Sequence, residues 1–229
     1  LIYKVGTPNV QENKINSKYF SVPVVGGNAI SLEKMDGLVA DKNVSSDGKY
    51  ILSNQEVKVE KLLGSDLYPE LSKTTAQVYE GLDYRHWDTW NEGKHNHVFV
   101  GAIGSETEKV LPPYDIMANE PFDSPQKPHG GDEDYIWSTD GSKIIYVCKK
   151  KAGTAYATST NTDLYEYDLA TKTTKNLTDK NLGYDTHPSF SPQGDLSWLQ
   201  MKRDGFEADK NDVIVRHKGM DINLTAAWD

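Results

Sequence analysis

The stretch DYIWSTDGSKIIYVCKK (134–150), continued after a polar interruption by NTDLYEYDLATKTTKNLT (161–178), decides the fold. It contains four short segments rich in β-branched and aromatic residues, which predict four strands. The first two flank the turn STDG (138–141), whose Asp and Gly suit a tight hairpin corner. A single sheet of this size cannot bury both of its faces, so more sheets of the same kind are predicted around it.

The pattern recurs along the chain. SSDG (45–48) and SPQG (191–194) each precede an apolar run, as STDG does, and the closing tripeptide Asn-Leu-Thr occurs at both 176–178 and 223–225. Repeated units of ~40–50 residues, each with an inner and an outer hairpin, are typical of a β-propeller. The sequence therefore predicts an all-β chain that forms a partial β-propeller of about three to four four-stranded antiparallel blades.

The blades can be placed along the chain as one propeller fragment over 1–229. We expect a partial blade at 1–33, a blade with an insertion (38–112, insertion 57–94), and two further blades at 131–178 and 184–225. Finer expectations are a strand at 1–5, an outer hairpin of 18–25 with 28–32, outer strands at 97–102 and 108–111, and a short helix within 69–79. The open ends of such an arc predict self-association between copies.

Composition narrows the class of protein. A formal net charge of −9 argues against nucleic-acid binding, and no apolar stretch approaches the ~20 residues that span a bilayer. The single cysteine, Cys148, cannot form an internal disulfide and is expected to be a small core residue. The two recurring Asn-Leu-Thr tripeptides match the glycosylation pattern, but their equivalent places in the repeat indicate turn chemistry instead.

Four longer blocks resemble a known family. They are YRHWDTWNEG (84–93), PFDSPQKPHGGDEDYIWS (121–138), GTAYATSTNTDLYEYD (153–168), and GYDTHPSFSPQG followed by MKRDGFEADKND (183–212). In this order they are similar to the propeller domain of bacterial dipeptidyl aminopeptidases and acylaminoacyl peptidases of the prolyl oligopeptidase family. The WSTDG and FSPQG turns also resemble the repeat of TolB-like propellers.

The resemblance implies a serine exopeptidase that releases short N-terminal peptides from a peptide substrate, and a periplasmic or secreted location. In this family the nucleophile lies on a Gly-x-Ser-x-Gly elbow of an α/β-hydrolase domain. No such pentapeptide occurs in the sequence. We therefore expect the catalytic domain to lie outside this chain, the chain to be inactive alone, and its role to be substrate gating, with no cofactor.

Candidate substrate-binding residues follow from the same resemblance. Two extended residues span at most ~7 Å, so an acid that holds the free amino terminus must project close to the cleaved bond. Glu207 is the first candidate for this anchor, with Arg203 on the same loop, and Arg85, Asp88 and Trp90 are candidates in the insertion. The alternatives are a solvated loop with local charge pairs, and an insertion pinned by Trp87 and Trp90 with Arg85 paired to Asp88.

Other functions remain open at this point. A non-enzymatic TolB-like propeller that mediates protein-protein interactions is the main alternative. A third is a propeller enzyme that uses histidines and a metal on a sugar, for which His95-x-His97 is the best signal. Two histidines on one strand face are a weak indication without further ligands, so we expect no metal.

Overall fold

A computed structural model describes residues 2–9, 14–21, 27–32, 42–82, 84–86, 88–104 and 112–228. These residues form mostly antiparallel β-sheet with a few short helical turns, as expected for an all-β chain. The chain divides into two compact units, Leu1–Asp41 and Lys42–Asp229.

The first unit contains a three-stranded antiparallel sheet in the order β1-β2-β3. Its strands are β1 (Ile2–Asn9), β2 (Lys14–Ser21) and β3 (Ile30–Leu32). The expected pairing at the end of β2 is present, with Tyr19 opposite Leu32. The observed β1 continues past residue 5 to Asn9, and β2 begins at Lys14 and not at residue 18. The backbone ladder between the two strands includes polar residues, which the hydrophobic pattern does not mark. Residues 22–26 lie outside the described part.

The second unit contains three sheets and a separate hairpin, in the orders β4-β7-β8, β12-β11-β10-β9, β13-β14-β15-β16 and β5-β6. Two short α-helices lie in its connections, and two 3-10 turns occur at Pro69–Leu71 and Asp132–Asp134. The bounds are β4 (Tyr50–Lys58), α1 (Gly64–Leu67), β5 (Arg85–His86), β6 (Thr89–Trp90), β7 (Lys94–Ala102), β8 (Tyr114–Asp115), β9 (Tyr135–Trp137), β10 (Lys143–Cys148), α2 (Thr154–Thr158), β11 (Asp163–Asp168), β12 (Thr173–Asn176), β13 (Asp185–Phe190), β14 (Leu196–Gln200), β15 (Asp212–His217) and β16 (Met220–Asn223).

The sheet β9–β12, formed by the stretch 134–178, is covered on both faces at its inner strand β10. On β10, Ile144, Tyr146 and Cys148 pack with side chains of β4 and β7, whereas Ile145 and Val147 pack with side chains of β14 and β15. Alternate residues of a strand point to opposite faces, so an unbroken apolar run is what a doubly covered strand requires. The expectation that further sheets cover this one is therefore met inside the second unit.

The repeated turns are equivalent in detail. In each, the glycine N–H donates to the serine carbonyl three residues earlier at 2.9 Å, for Gly48, Gly141 and Gly194. All three glycines have positive φ, which a residue without Cβ adopts at little cost. A Cβ on Gly141 would lie 3.0 Å from Ser46 Oγ, and one on Gly194 would lie 3.3 Å from Thr139 Oγ1, so each turn packs against the turn before it.

The closing tripeptides are also equivalent. Asn176 Oδ1 accepts the N–H of Thr178 at 2.9 Å, and Asn223 Oδ1 accepts the N–H of Thr225 at 2.9 Å. The threonine hydroxyl then accepts the N–H of Leu164 in one sheet and of Val213 in the other. These bonds are the turn chemistry that the repeated positions indicated.

Three local expectations need correction or lie outside the described residues. The helix predicted within 69–79 is only a 3-10 turn, because Ser72, Thr74 and Thr75 favour local turns over a continued helix. The insertion contains the hairpin β5-β6, and the polar interruption before β11 contains α2, neither of which was predicted. The expected outer strand at 108–111 is among the residues that the structure does not describe, whereas β8 follows it at Tyr114–Asp115.

Because both faces of β10 are buried, truncation of a side chain on either face is expected to lower the stability of the protein to a similar extent. Ile144→Ala and Ile145→Ala are each expected to lower the free energy of unfolding by about 2–5 kcal/mol, because each removes a fully buried side chain from a different core. Urea denaturation of the two variants measures this. Lys175→Ala on the exposed strand β12 is the control, with an expected change within about 0.5 kcal/mol. A large loss at only one isoleucine would contradict the doubly covered sheet.

Candidate functional site

The connections that follow β4, β10 and β14, the strands directly after the three repeated turns, form the candidate site. They are residues 59–93 between β4 and β7, 149–162 between β10 and β11, and 201–211 between β14 and β15. Strands of an antiparallel sheet alternate in direction, so these three connections leave equivalent ends of their sheets. The first two line a cleft of about 770 Å³. The second and third touch through side-chain hydrogen bonds from Ser159 to Asp204.

The β5-β6 hairpin forms one wall of the cleft. Arg85 lies opposite Trp90, and His86 lies opposite Thr89. An aromatic stack supports the hairpin from behind, with the ring of Trp90 5.8 Å from Tyr84 and 6.3 Å from Tyr79 between centroids. The insertion is thus anchored by its own aromatic side chains, while Trp90 stays 49% exposed toward the cleft.

The charged candidates on this hairpin are not paired with each other. The guanidinium of Arg85 lies 5.9 Å from the centroid of the Trp90 ring, a cation-π arrangement. The Asp88 carboxylate accepts a hydrogen bond from Thr89 Oγ1 at 3.4 Å. Among the described residues neither side chain has an ion-pair partner. The alternative in which Arg85 pairs with Asp88 is therefore not what the structure shows. Trp87 lies outside the described residues.

A buried histidine between two carboxylates forms the floor of the cleft. His95 Nδ1 lies 3.2 Å from Asp123 Oδ2, and His95 Nε2 lies 3.1 Å from Glu60 Oε2. Both ring nitrogens face acceptors, so the protonated ring satisfies both contacts. Burial alone would lower the pKa of His95, but the two carboxylates outweigh it and raise this pKa above its ordinary value of 6.5.

Asp123 is held by the same cluster. Burial would raise the pKa of the Asp123 carboxyl, but hydrogen bonds from His95 and from the N–H of Asn96, with the nearby charge of Lys127, lower it below 3.8. The cluster joins β7, the start of the connection that follows β4 and the connection after β8. It therefore fixes the floor of the cleft relative to the insertion.

His97, two residues along β7, has a structural role. Its ring is fully buried, Nδ1 lies 2.7 Å from Asp115 Oδ2, and Nε2 donates to the Glu120 carbonyl oxygen at 2.9 Å. The His95-x-His97 pair thus lies on one buried strand face but contacts two different carboxylates. In the described part of the chain, no group of three or more His, Cys, Asp or Glu side chains is arranged to hold a metal ion.

The His95 cluster predicts a pH-dependent contribution to stability. Because the folded pKa of His95 is raised, its contribution is complete below about pH 6.5 and is lost as pH rises through the folded value. His95→Gln should therefore cost more free energy of unfolding at about pH 6 than at about pH 9. Denaturant titrations of both proteins at the two pH values measure the difference, and an equal cost at both would contradict a charged cluster.

The loop 203–209, which carries Glu207, is closed by its own charges. Arg203 donates to Asp209 Oδ1 at 2.9 Å, and its guanidinium lies 4.1 Å from the centroid of Phe206. Glu207 itself is exposed. Burial of the Tyr184 phenol raises the pKa of that group, and the negative charge of nearby Glu207 raises it further. The ion pair between Arg203 and Asp209 is what the alternative of a solvated loop with local charge pairs predicts.

The same loop is docked to the neighbouring connection. Asp204 Oδ1 accepts hydrogen bonds from Ser159 Oγ at 2.7 Å and from the N–H of Thr160 at 2.8 Å. In return the N–H of Gly205 donates to Thr160 Oγ1 at 2.9 Å. Ser159 and Thr160 are both buried, so the start of the loop has a fixed position from which Glu207 projects.

The structure therefore separates the sequence-predicted residues into two groups. Arg85, Asp88 and Trp90 line the cleft together, whereas Arg203 and Glu207 lie on the adjoining loop and are not among the residues that line it. Sequence reasoning did not assign the other charged and aromatic side chains of the cleft to the binding site, among them Glu60, His95, Asp123, Lys151 and Tyr156. The sequence singled out His95 only through the His95-x-His97 pattern on one strand face. Its carboxylate partners, Asp123 and Glu60, are distant from it in the chain.

Comparison with known proteins supports the dipeptidyl peptidase part of the resemblance. The chain is 40% identical over 172 residues to "Dipeptidyl-peptidase 5" of Porphyromonas gingivalis and 41% identical over 166 residues to that of Porphyromonas endodontalis. The chain is similar to dipeptidyl peptidases. A more distant relative of the same name, from Schizosaccharomyces pombe, is 28% identical over 169 residues. The matches cover 75%, 72% and 68% of this chain, respectively.

These matches concern a part of the relatives. The chain spans about a quarter of their length, 25%, 23% and 24% respectively. No protein-family model matches the chain. None of the helices in the described residues is long and apolar enough to cross a bilayer.

Proposed function

We propose that this chain is the substrate-gating, peptide-binding part of a serine dipeptidyl peptidase of the prolyl oligopeptidase family, and that its sheets are blades of a β-propeller. The observation that carries the proposal is the placement of the cleft and the Glu207 loop on adjoining connections at equivalent ends of neighbouring sheets. Binding residues placed on loops above a rigid sheet scaffold are the usual design of a recognition surface. The similarity to dipeptidyl peptidases supports the substrate class.

In this proposal Glu207 holds the free amino terminus of the substrate. Its carboxylate is exposed, and it lies on a loop whose start is fixed by Asp204 and whose ends are joined by Arg203 and Asp209. In the part of the chain that the structure describes Glu207 has no ion-pair partner, so its carboxylate meets an incoming amine without first breaking an ion pair. Arg203 then acts as a positioning residue, because its guanidinium is already bonded within the loop.

Removal of this charge is expected to affect only substrates with a free amino terminus. In the full-length protein, Glu207→Gln should raise KM for dipeptidyl substrates about tenfold or more, since a hydrogen bond between charged groups contributes about 1.5–3 kcal/mol. Steady-state kinetics on free and N-blocked substrates measure the effect. Asp221→Asn, on β16 next to the β15-β16 turn at the opposite end of the same sheet, is the matched control. An equal loss on both substrates would refute the anchoring role.

We further propose that the serine, aspartate and histidine of catalysis lie in an α/β-hydrolase domain outside this chain, which is its main partner. The proposal rests on the missing Gly-x-Ser-x-Gly pentapeptide and on the quarter of the relatives' length that the chain spans.

Residues 1–229 alone are accordingly expected to show no peptidase or esterase turnover. Assays of a purified preparation with chromogenic dipeptides and esters check this, with the full-length protein as the positive control. Turnover that a serine-directed inhibitor abolishes, in the preparation of 1–229, would overturn the assignment of catalysis to another domain.

The proposed location is the periplasm or the extracellular medium, and it rests on the family resemblance alone. Immunoblotting of cell fractions with an antibody against the chain tests it, and recovery with the cytoplasmic fraction would contradict it.

A further inference from the structure

We propose that Asp204 is a positioning residue that couples the Glu207 loop to the wall of the cleft. Its carboxylate holds the loop 203–209 in place and, through the same hydrogen bonds, orders the segment 149–162, which lines part of the cleft. This inference deepens the proposed function, on which it rests only for the role of Glu207 in binding the amine. The coupling itself follows from contacts between the connections of two neighbouring sheets.

The contact between the two connections runs in both directions. Asp204 Oδ1 accepts hydrogen bonds from Ser159 Oγ at 2.7 Å and from the N–H of Thr160 at 2.8 Å, and the N–H of Gly205 donates to Thr160 Oγ1 at 2.9 Å. Burial would raise the pKa of the Asp204 carboxyl, but the bonds from Ser159 and from backbone N–H groups outweigh it and lower this pKa below 3.8. The carboxylate is therefore ionised at neutral pH, and its hydrogen bonds are of the stronger, charge-assisted kind.

The helix α2 owes little of its order to burial. It has five residues, Thr154–Thr158, none of which is buried. A helix of this length is marginal in water without tertiary contacts. Lys149 Nζ donates to the Tyr156 carbonyl at 2.6 Å, and Asp204 holds the two residues directly after the helix. Loss of the Asp204 contact is therefore expected to loosen the whole helix.

The same segment forms a wall of the cleft. The residues that line it there are Lys151, Ala152, Gly153 and Tyr156. Ser159 lies less than one helical turn after Tyr156, so a displacement of Ser159 is passed to the Tyr156 ring. The cleft wall and the Glu207 loop thus share one support, and disorder in either is expected to reach the other.

The test uses three variants of the full-length protein. Asp204→Ala removes both hydrogen bonds that the carboxylate accepts. Asp204→Asn is the conservative variant, because its side-chain oxygen can accept from both donors as Oδ1 does. Asp221→Ala removes a carboxylate that is paired with Arg216 at the opposite end of the same sheet, and it is the matched control. Circular dichroism checks that each variant is folded.

Hydrogen–deuterium exchange of peptides that cover 152–160 measures the coupling. The N–H groups of Ala157 and Ser159 donate within the helical segment, to the carbonyls of Gly153 and Ala155. We expect Asp204→Ala to make these groups exchange about tenfold faster, although Asp204 does not bond them itself. Exchange in Asp204→Asn and Asp221→Ala should stay within about twofold of the unaltered protein.

Steady-state kinetics measure the effect on Glu207. Asp204→Ala should raise KM for Ala-Ala p-nitroanilide, which has a free amine, about threefold or more, and leave hydrolysis of p-nitrophenyl acetate, which has none, within about twofold. In the Glu207→Gln background the same change should raise KM by less than about twofold, because an anchor that is absent cannot be misplaced. A general loss of stability would instead affect both substrates in both backgrounds.

Unchanged exchange of α2 in Asp204→Ala would overturn the coupling, and so would equal exchange in Asp204→Ala and Asp204→Asn. An increase in KM of the same size with and without Glu207 would contradict the positioning role. If Glu207→Gln itself leaves KM unchanged, the anchor of the proposed function fails, whereas the exchange result still decides whether Asp204 couples the loop to the cleft wall.

Discussion

The burial of both faces of β10 is the constraint on which the second unit depends. Ile144 and Tyr146 face one core, and Ile145 and Val147 face the other, all of them 1% exposed or less. A sheet covered on one side only would leave half of this apolar run in water, at a cost of about 1.5–3 kcal/mol for each large side chain. The neighbouring sheets are therefore held against the two faces of the central one, and their connections are held beside one another.

Sequence reasoning identified this architecture where the signal was local. The β-branched run 144–148, the turn residues at 45–48, 138–141 and 191–194, and the Asn-Leu-Thr closings each carry their structural cause within a few residues. The strands of the two four-stranded sheets were found for that reason. The β5-β6 hairpin and α2 were not predicted, since their short polar segments owe their conformation to contacts such as the stacking of Trp90 on Tyr84.

The candidate site was predicted only in part for the same physical reason. Arg85, Asp88 and Trp90 are close in sequence and lie together in the cleft. The His95 cluster joins residues 28 and 35 positions apart, and no periodicity connects His95 with Asp123 or Glu60. Nor does the sequence show that Asp204 fixes the Glu207 loop through Ser159 and Thr160, 45 and 44 positions away. Such contacts are made by the packing of sheets, so they appear only when the fold is known.

The close packing of successive turns has an evolutionary consequence. Gly141 lies against Ser46 and Gly194 lies against Thr139, so these two inner turns leave little space for added side chains. The opposite end already accommodates the long segment 59–93 without disturbing β4 or β7. Lengthening and shortening of the chain during divergence should accordingly concentrate at that end, where new loops alter what the surface recognises while the sheet scaffold stays the same.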